Sequence, residues 1–475
     1  MQDPILFWNA VALEANRIDH TVAGLENQRG PTASSRAIAL VHLAMHDAFF
    51  GVAGAAAIPG PGPAPKRLYL IAPPAWTGGD SPTRRAAAVA GAAATALATL
   101  YSDQRRQFEL ACEQFAHELG TDDAAFRFGE RVARAVLAAR LAPAGLDADH
   151  VASPGRGRHR VDPYNLDQGY HGVAYGRAAT VAVTAFHPQA APPAIGSALY
   201  TKHYKEVLEN GALVTPKRTP EEAMIGLFWA YDGPRGIGTP PRLYNQVVRA
   251  VAIARGNTVE QNARLFALVN CAIGDAGIHA WHWKYCYDLW RPVIGIREQD
   301  GSCGPTGVAD KAITPPADPY WQALGAPRSN TRERAFTPNF PAYPSGHATF
   351  GATAFEVVRL FYGHGDAATV DSIGFTHVSD EQDGRTTDQD GAPRTRHVRK
   401  YDSMAAAMYD NSVSRIYLGV HWRFDGTTGA SVPGMLTATD NVGGVPLGRA
   451  IARDIVTSGM QQQATPATAP VTPCP

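Results

Sequence analysis

Three separated blocks of the chain combine residue types that suit one chemistry, the capture of a tetrahedral oxyanion. The first, KYCYDLWRP, spaces Lys284 and Arg291 by seven residues, nearly two helical turns, so a helix would put both cations on one face. Pro292 then ends it, because a proline disfavours helical geometry in the residue before it. The second is Pro344-Ser345-Gly346-His347, ahead of the helical run ATFGATAFEVVRLF. A Ser-Gly pair at a helix start offers a hydroxyl and unpaired backbone N–H groups, with no Cβ at Gly346 to hold an anion off. The third, SRIYLGVHWRFD, carries Ser414, Arg415, His421 and, one helical turn further, Asp425, which can hold the imidazole tautomer of His421. Singly, each block reads as ordinary structure: helix-end cations, a capped helix start, a His/Asp pair. Together they supply the charge neutralisation, orientation, covalent attachment and proton transfer that a bound oxyanion needs.

Helices must carry these groups. Apolar residues at helical spacing predict helices over residues 5–18 and 34–50, then over 83–101, 103–119 and 122–141, whose short connections favour an antiparallel bundle. Residues 59–65 and 72–82 are rich in breakers and read as loops, and 142–197 as a long Gly/Pro/Arg excursion with a short hairpin near 180–186. Helical pattern resumes over 223–231, 241–255 and 259–291, and again over 346–362, 403–418 and from Trp422 onward. The expected fold is mainly α: two helical bundles with minor β in the loops, in one catalytic domain over 1–460. Its halves meet near residue 200 and the site lies in the second, while 461–475 reads as a disordered tail.

Composition narrows the partners. The 475 residues are 45% hydrophobic, with 43 basic against 43 acidic side chains, so no long-range field draws in a polyanion, and nucleic acid is not an expected partner. Residues 86–100, read as the most apolar stretch, are too short and too weakly apolar to cross a bilayer. The N-terminus lacks a basic segment followed by an apolar one, so no secretory leader is visible; the expectation is a soluble protein, cytoplasmic or exported by a route the sequence does not reveal. Five cysteines, at 112, 271, 286, 303 and 474, read as free thiols, and none has a zinc spacing.

Other groups have plainer readings. His42 and His46 stand four apart on a helix but lack a third ligand, so packing or hydrogen bonding is expected of them. His279 and His282 flank Trp281 and read as packed neighbours near the site entrance. The acidic run at 380–390 only superficially resembles a calcium loop and is expected to be solvated.

The combined pattern KxxxxxxRP, PSGH, SRxxxxxHxxxD resembles that of type 2 phosphatidic acid phosphatases, bacterial acid phosphatases and vanadium-dependent haloperoxidases, which share one phosphate- or vanadate-binding site. The stretches ILFWNAVALEANRIDHTV, FWAYDGPRGIGTPPRLYNQVVR, DAGIHAWHWKYCYDLWRP and NFPAYPSGHATFGA extend the likeness to the chloroperoxidase branch. This resemblance implies orthovanadate as cofactor, with His421 as its covalent ligand and Lys284, Arg291, Arg415, Ser345 and the Gly346 amide on its oxygens. It implies an acid–base role for His347, Asp232 and Asp425 as supports, and Trp281 and Phe340 on the halide side. The implied substrates are hydrogen peroxide, bromide, iodide and, on the Phe340 match, chloride, with an organic acceptor optional. The same cage with phosphate would run an acid phosphatase reaction through a phosphohistidine, and the cage residues alone leave both readings open.

Overall fold

The computed structural model describes residues 3–60, 66–141, 150–153, 155–298 and 317–470. Among them the helices, in chain order, are α1 (Pro4–Asp19), α2 (Gly30–Ala53), α3 (Pro82–Leu100), α4 (Arg105–Leu119), α5 (Asp123–Arg140), α6 (Ala198–Asn210), α7 (Pro220–Phe228), α8 (Pro240–Ala254), α9 (Val259–Tyr287), α10 (Pro292–Glu298), α11 (Gly346–Phe361), α12 (Met404–Tyr417), α13 (Arg423–Gly426), α14 (Val432–Thr437) and α15 (Gly444–Ser458). Strands β1 (Phe375–His377) and β2 (Arg399–Tyr401) form a two-stranded antiparallel sheet with Thr376 opposite Lys400. The architecture is helix packed on helix, mainly α as expected.

Small residues set how closely the first helices pack. A Cβ on Gly91 of α3 would stand 2.1 Å from the Phe126 carbonyl oxygen, and one on Gly129 of α5 would stand 1.9 Å from that of Ala88. The two backbones therefore touch, and the alanines of 86–100 serve that contact. The longest apolar helix is instead α2, which by length and composition alone could cross a membrane; 89% of its most apolar window is buried inside the fold against α3 and α9. One hydrophobic cluster runs from Ile5 to Met460 through both halves of the chain.

Helix α9 is the spine that reaches the site. It has 29 residues, opens with a Thr258/Gln261 capping box, and at 1.5 Å per residue extends about 44 Å. It stops at Tyr287, where Asp288 turns into the left-handed region at φ 50°, four residues short of the end predicted at Arg291. Its buried Asp275 also replaces the predicted hairpin near 180–186. The Asp275 carboxylate accepts the backbone N–H groups of Val181, Ala182 and Val183, so that segment is a turn bound to a side chain rather than to a partner strand. Asp275→Ala is expected to leave three buried amides without acceptors and to cost about 3–5 kcal/mol, read as a lowered urea midpoint.

Further expectations change. Residues 461–470 do not trail away: the Gln462 amide donates to the Tyr69 carbonyl at 2.9 Å, Arg140 to Gln463 at 2.8 Å, and Thr180 to Ala467 at 2.9 Å. Cys286 is disulfide-bonded, whereas Cys112 and Cys271 are free thiols. Cys303, Cys474, loop residues 61–65, residues 142–149 of the excursion and the last five of the tail lie outside the described residues. Glu381 is fully buried, paired with Arg394 and accepting from Ser329 at 2.5 Å, and Asp380 pairs with Arg242; the start of the 380–390 run is thus tied down by arginines, while Gly384, Arg385, Asp388, Gln389 and Asp390 are exposed as expected. His42 bonds the Ile38 carbonyl and Asn9, and His46 bonds Asp47. No group of His, Cys, Asp and Glu among the described residues could hold a metal ion through three or more of them.

Candidate active site

The last turns of α9 deliver Trp281 to the wall of a cleft and place Lys284 behind that wall, next to the Trp281 and Phe340 rings. Lys284 is fully buried, and its ammonium donates to the carbonyls of Pro341, Ala342 and Pro344 at 2.9, 3.1 and 2.6 Å. It therefore fastens the strand-like approach to Ser345 onto α9. Burial, reinforced by the neighbouring Arg291 cation, holds its pKa well below the usual lysine value. Arg291 does not share the helix face foreseen for it. It follows the Asp288 turn on extended backbone, where Leu289 accepts from the Ala342 amide at 2.8 Å and Trp290 donates to Gly157 at 2.9 Å. From there its guanidinium donates to Phe340 at 2.9 Å, to Val420 at 2.8 Å and to His421 Nε2 at 2.8 Å.

Helix α11 supplies the second wall. Ser345 is its N-cap, its hydroxyl oxygen accepting from the Ala348 amide at 3.3 Å, and its own amide donates to the Asp425 carbonyl at 2.7 Å. Gly346 opens the helix, so its N–H has no partner within the helix. A Cβ there would stand 3.2 Å from the Trp281 ring, tight enough to displace one or the other. Gly346→Ala is accordingly expected to weaken oxyanion affinity about tenfold, measured by titration with orthovanadate. His347 Nε2 lies 2.6 Å from the Ala230 carbonyl, which only accepts, so Nε2 carries the proton. Nδ1, 4.0 Å from Asp232, then holds the lone pair. Burial and the charge of Arg415 push the His347 pKa well down, favouring the neutral base.

The third block closes the cage. Arg415, on α12, donates through Nη2 to both oxygens of Asp232 at 2.8 and 3.0 Å. His421 follows α12 in the turn leading to α13, so it and Asp425 are not on one continuous helix, yet His421 Nδ1 lies 2.8 Å from the Asp425 carboxylate. That carboxylate also accepts the Trp422 amide at 3.0 Å, and burial raises its pKa to about 7. Burial and then the Arg291 charge hold the His421 pKa well below its ordinary value. With Nδ1 turned to Asp425, Nε2 presents its lone pair to the cleft.

Three guanidinium nitrogens in this cluster, Nη2 of Arg291 and Nε and Nη1 of Arg415, are buried without any hydrogen-bond partner. Unpaired buried donors on charged groups are expensive, and an oxyanion seated between them beside His421 Nε2 would satisfy them. The donor set fits vanadate or phosphate: cations, hydroxyl and amide for the oxygens, one imidazole nitrogen for the central atom.

Above the cage a cavity of about 890 Å³ reaches solvent, with Gly346, His347, Arg415 and His421 at its base. The Trp281 and Phe340 rings stand 4.8 Å apart on its wall, and Phe340 covers both Lys284 and Arg291 at 5.0 Å. His279 and His282 do not line it: His279 stacks on Phe186 at 4.0 Å, and His282 meets the same ring at 5.0 Å. His171, which no motif marks, does line it.

Comparison with known proteins identifies relatives along almost the whole chain. Residues 2–167 match the vanadium chloroperoxidase N-terminal domain, and residues 264–458 match the VCPO second helical-bundle domain. The vanadium chloroperoxidase of Curvularia inaequalis is 34% identical, covering 96% of this chain and 90% of that protein. Among solved structures, a bacterial vanadium-dependent iodoperoxidase shares the fold at a TM-score of 0.65 and 18% identity over 97% of both chains. The holo form of a bacterial vanadium-dependent chloroperoxidase does so at 0.60 and 14% identity, over 94% of this chain and 95% of its own. On a likeness of that depth across almost its whole length, the chain belongs to the vanadium chloroperoxidase family.

Proposed function

We propose that this chain is a vanadate-dependent haloperoxidase that converts hydrogen peroxide, halide and a proton into hypohalous acid and water. The observation that supports an oxyanion there is His421 Nε2 set among buried guanidinium nitrogens that lack partners, and family membership with the Trp281–Phe340 wall favours vanadate and halide over a phosphoester. Orthovanadate, when bound, supplies a Lewis-acidic centre that activates peroxide toward halide without changing its own oxidation state.

The residues around it divide the work. His421 Nε2 would ligate the vanadium once Arg291 Nη1 withdraws from its lone pair, and Asp425 fixes the ring by accepting from Nδ1. Arg291, Arg415, the Ser345 hydroxyl and the Gly346 amide would hold the oxygens, and Asp232 keeps Arg415 aimed at them. Lys284 would reach the same oxygens by releasing one of its three backbone carbonyls. His347, neutral and with Nδ1 free to accept, takes a proton from incoming peroxide. Trp281 and Phe340 form the halide side, and Phe340 supports chloride as a substrate beside bromide and iodide. The catalytic domain spans 1–460 with the cage in its second half. Hypohalous acid either leaves by the cavity or meets an organic acceptor there.

A phosphatase would use the same cage with His421 as nucleophile; the family and the aromatic wall favour halide oxidation instead. The test compares metal-free protein on an aryl phosphate with vanadate-loaded protein given peroxide and bromide. Bromination well above any hydrolysis is expected, and hydrolysis without bromination would reverse the assignment.

A further inference from the structure

A second cavity, of about 700 Å³, takes no part in the mechanism above. It shares a wall with the cavity over the cage: Arg328, Glu333 and Phe336 line both. These residues belong to a loop closed by paired backbone bonds between Ala326 and Phe336, at 2.8 and 3.0 Å, so one stretch of chain divides the two spaces. The Arg328 guanidinium lies 4.7 Å from the Phe336 ring centroid and 3.0 Å from the Glu333 carboxylate. Glu333 is largely exposed, and an ion pair so well hydrated costs less than about 1 kcal/mol to open.

The charged groups lining the second cavity are already matched. Asp162 accepts the amides of Tyr164 and Thr337 at 2.9 and 2.8 Å, Arg218 donates to the Ala212 carbonyl at 2.5 Å, and Arg394 pairs with Asp388 and Glu381. The rest of the lining is largely hydrocarbon, from Leu213, Leu227, Val293 and Leu324. Leu213 is 43% exposed, so apolar surface stands open to solvent at this cavity. An ion would find little free counter-charge here, whereas a neutral apolar molecule would release water from that hydrocarbon. Arg328 and Arg334 each lie over a ring, Phe336 and Tyr164, at 4.7 and 4.9 Å, and a guanidinium favours an electron-rich π face over a saturated one.

We propose that the second cavity binds the organic acceptor, a neutral, electron-rich aromatic molecule of the alkylphenol class, and that hypohalous acid reaches it across the Arg328–Glu333 partition. This rests on the haloperoxidase reading given above. The electron density that suits the arginines is also what an electrophilic halogen attacks. A ring carbon bonds the halogen as the halogen–oxygen bond breaks, and the hydroxide released leaves with the displaced ring proton as water. Holding the acceptor beside the cavity in which the oxidant forms gives it an advantage over acceptors free in solution.

Leu213 separates the two cavities experimentally, because it lines the second and not the first, and its exposure lets it change without disturbing the core. Without peroxide, 4-propylphenol is expected to bind the vanadate-loaded protein, and Leu213→Asp to weaken its Kd about tenfold. With peroxide and bromide, 4-propylphenol competes with the anionic 4-hydroxybenzenesulfonate, and reagent hypobromous acid gives the intrinsic product ratio. The unsubstituted protein should favour 4-propylphenol about tenfold beyond that ratio. Leu213→Asp, and Leu213→Trp, which fills the space, should return to within about twofold of it, with peroxide consumption and bound vanadium unchanged. A ratio equal to that of the reagent, a preference for the sulfonate, or a preference untouched by both substitutions would overturn the acceptor site while leaving the haloperoxidase reading intact. An unsubstituted protein that binds 4-propylphenol yet oxidises no bromide removes that reading and the acceptor role with it.

Discussion

His421→Ala is expected to abolish retention of orthovanadate and to lower peroxide-dependent bromide oxidation by about a thousandfold or more. The cage offers hydrogen-bond donors for the oxyanion oxygens from several elements, and His421 Nε2 is the imidazole nitrogen that lies among the arginines, beside the unpaired guanidinium atoms. Removing that nitrogen leaves Arg291 and Arg415 able to attract an oxyanion but unable to hold its central atom. The metal-free variant should still bind phosphate weakly through the arginines, so vanadium content after gel filtration and phosphate affinity are measured together. Vanadium retained at full occupancy by the variant would refute the ligand assignment. Asp425→Asn should fall between the two, since it keeps the ring in place but weakens the partner at Nδ1.

A different signature is expected from Lys284→Ala. Its ammonium is bonded to the carbonyls of Pro341, Ala342 and Pro344, so the substitution leaves three buried acceptors unpaired as well as removing a cation from the cage. The expected loss of stability is about 2–4 kcal/mol, with oxidation reduced about a hundredfold and some vanadate still bound. Turnover and thermal midpoint should fall together, because the same three carbonyls lead directly into Ser345 and Gly346. Lys284→Arg tests the division: a guanidinium can satisfy the carbonyls but puts a planar fork where a compact ammonium stands, 5.6 and 5.0 Å from the Trp281 and Phe340 ring centroids. It should recover stability more than turnover. Recovery of full turnover with stability still lost would contradict this account of Lys284.

Much of the site is readable in the sequence because the cage is written in short blocks. Ser345 and Gly346 act through a helix start, and His421 reaches Asp425 across four residues, so local spacing carries both arrangements. The helical fold is equally legible, since alanine and regularly spaced apolar residues specify amphipathic helices whatever their partners. What spacing misjudges are places where tertiary contacts overrule helical continuation. Arg291 leaves α9 because the 289–291 segment pairs with residues 157 and 342, whose positions no local pattern encodes. The predicted hairpin near 180–186 gives way to the Asp275 carboxylate, about ninety residues away, and residues 461–470 are held by partners from the first half of the chain. His171 is invisible for the same reason: it stands in a loop without periodicity, and its relation to Trp281 exists only once α2, α9 and that loop meet.

Groups from distant parts of the chain would enclose one oxyanion, its central atom bound to His421. Titration of the metal-free protein with orthovanadate, following bound vanadium and the bromination rate in parallel, tests it most directly. Both are expected to rise together and saturate at one vanadium per chain, with inorganic phosphate competing for the same site. A bromination rate that ignores vanadium content, or vanadium that binds without phosphate competition, would contradict it.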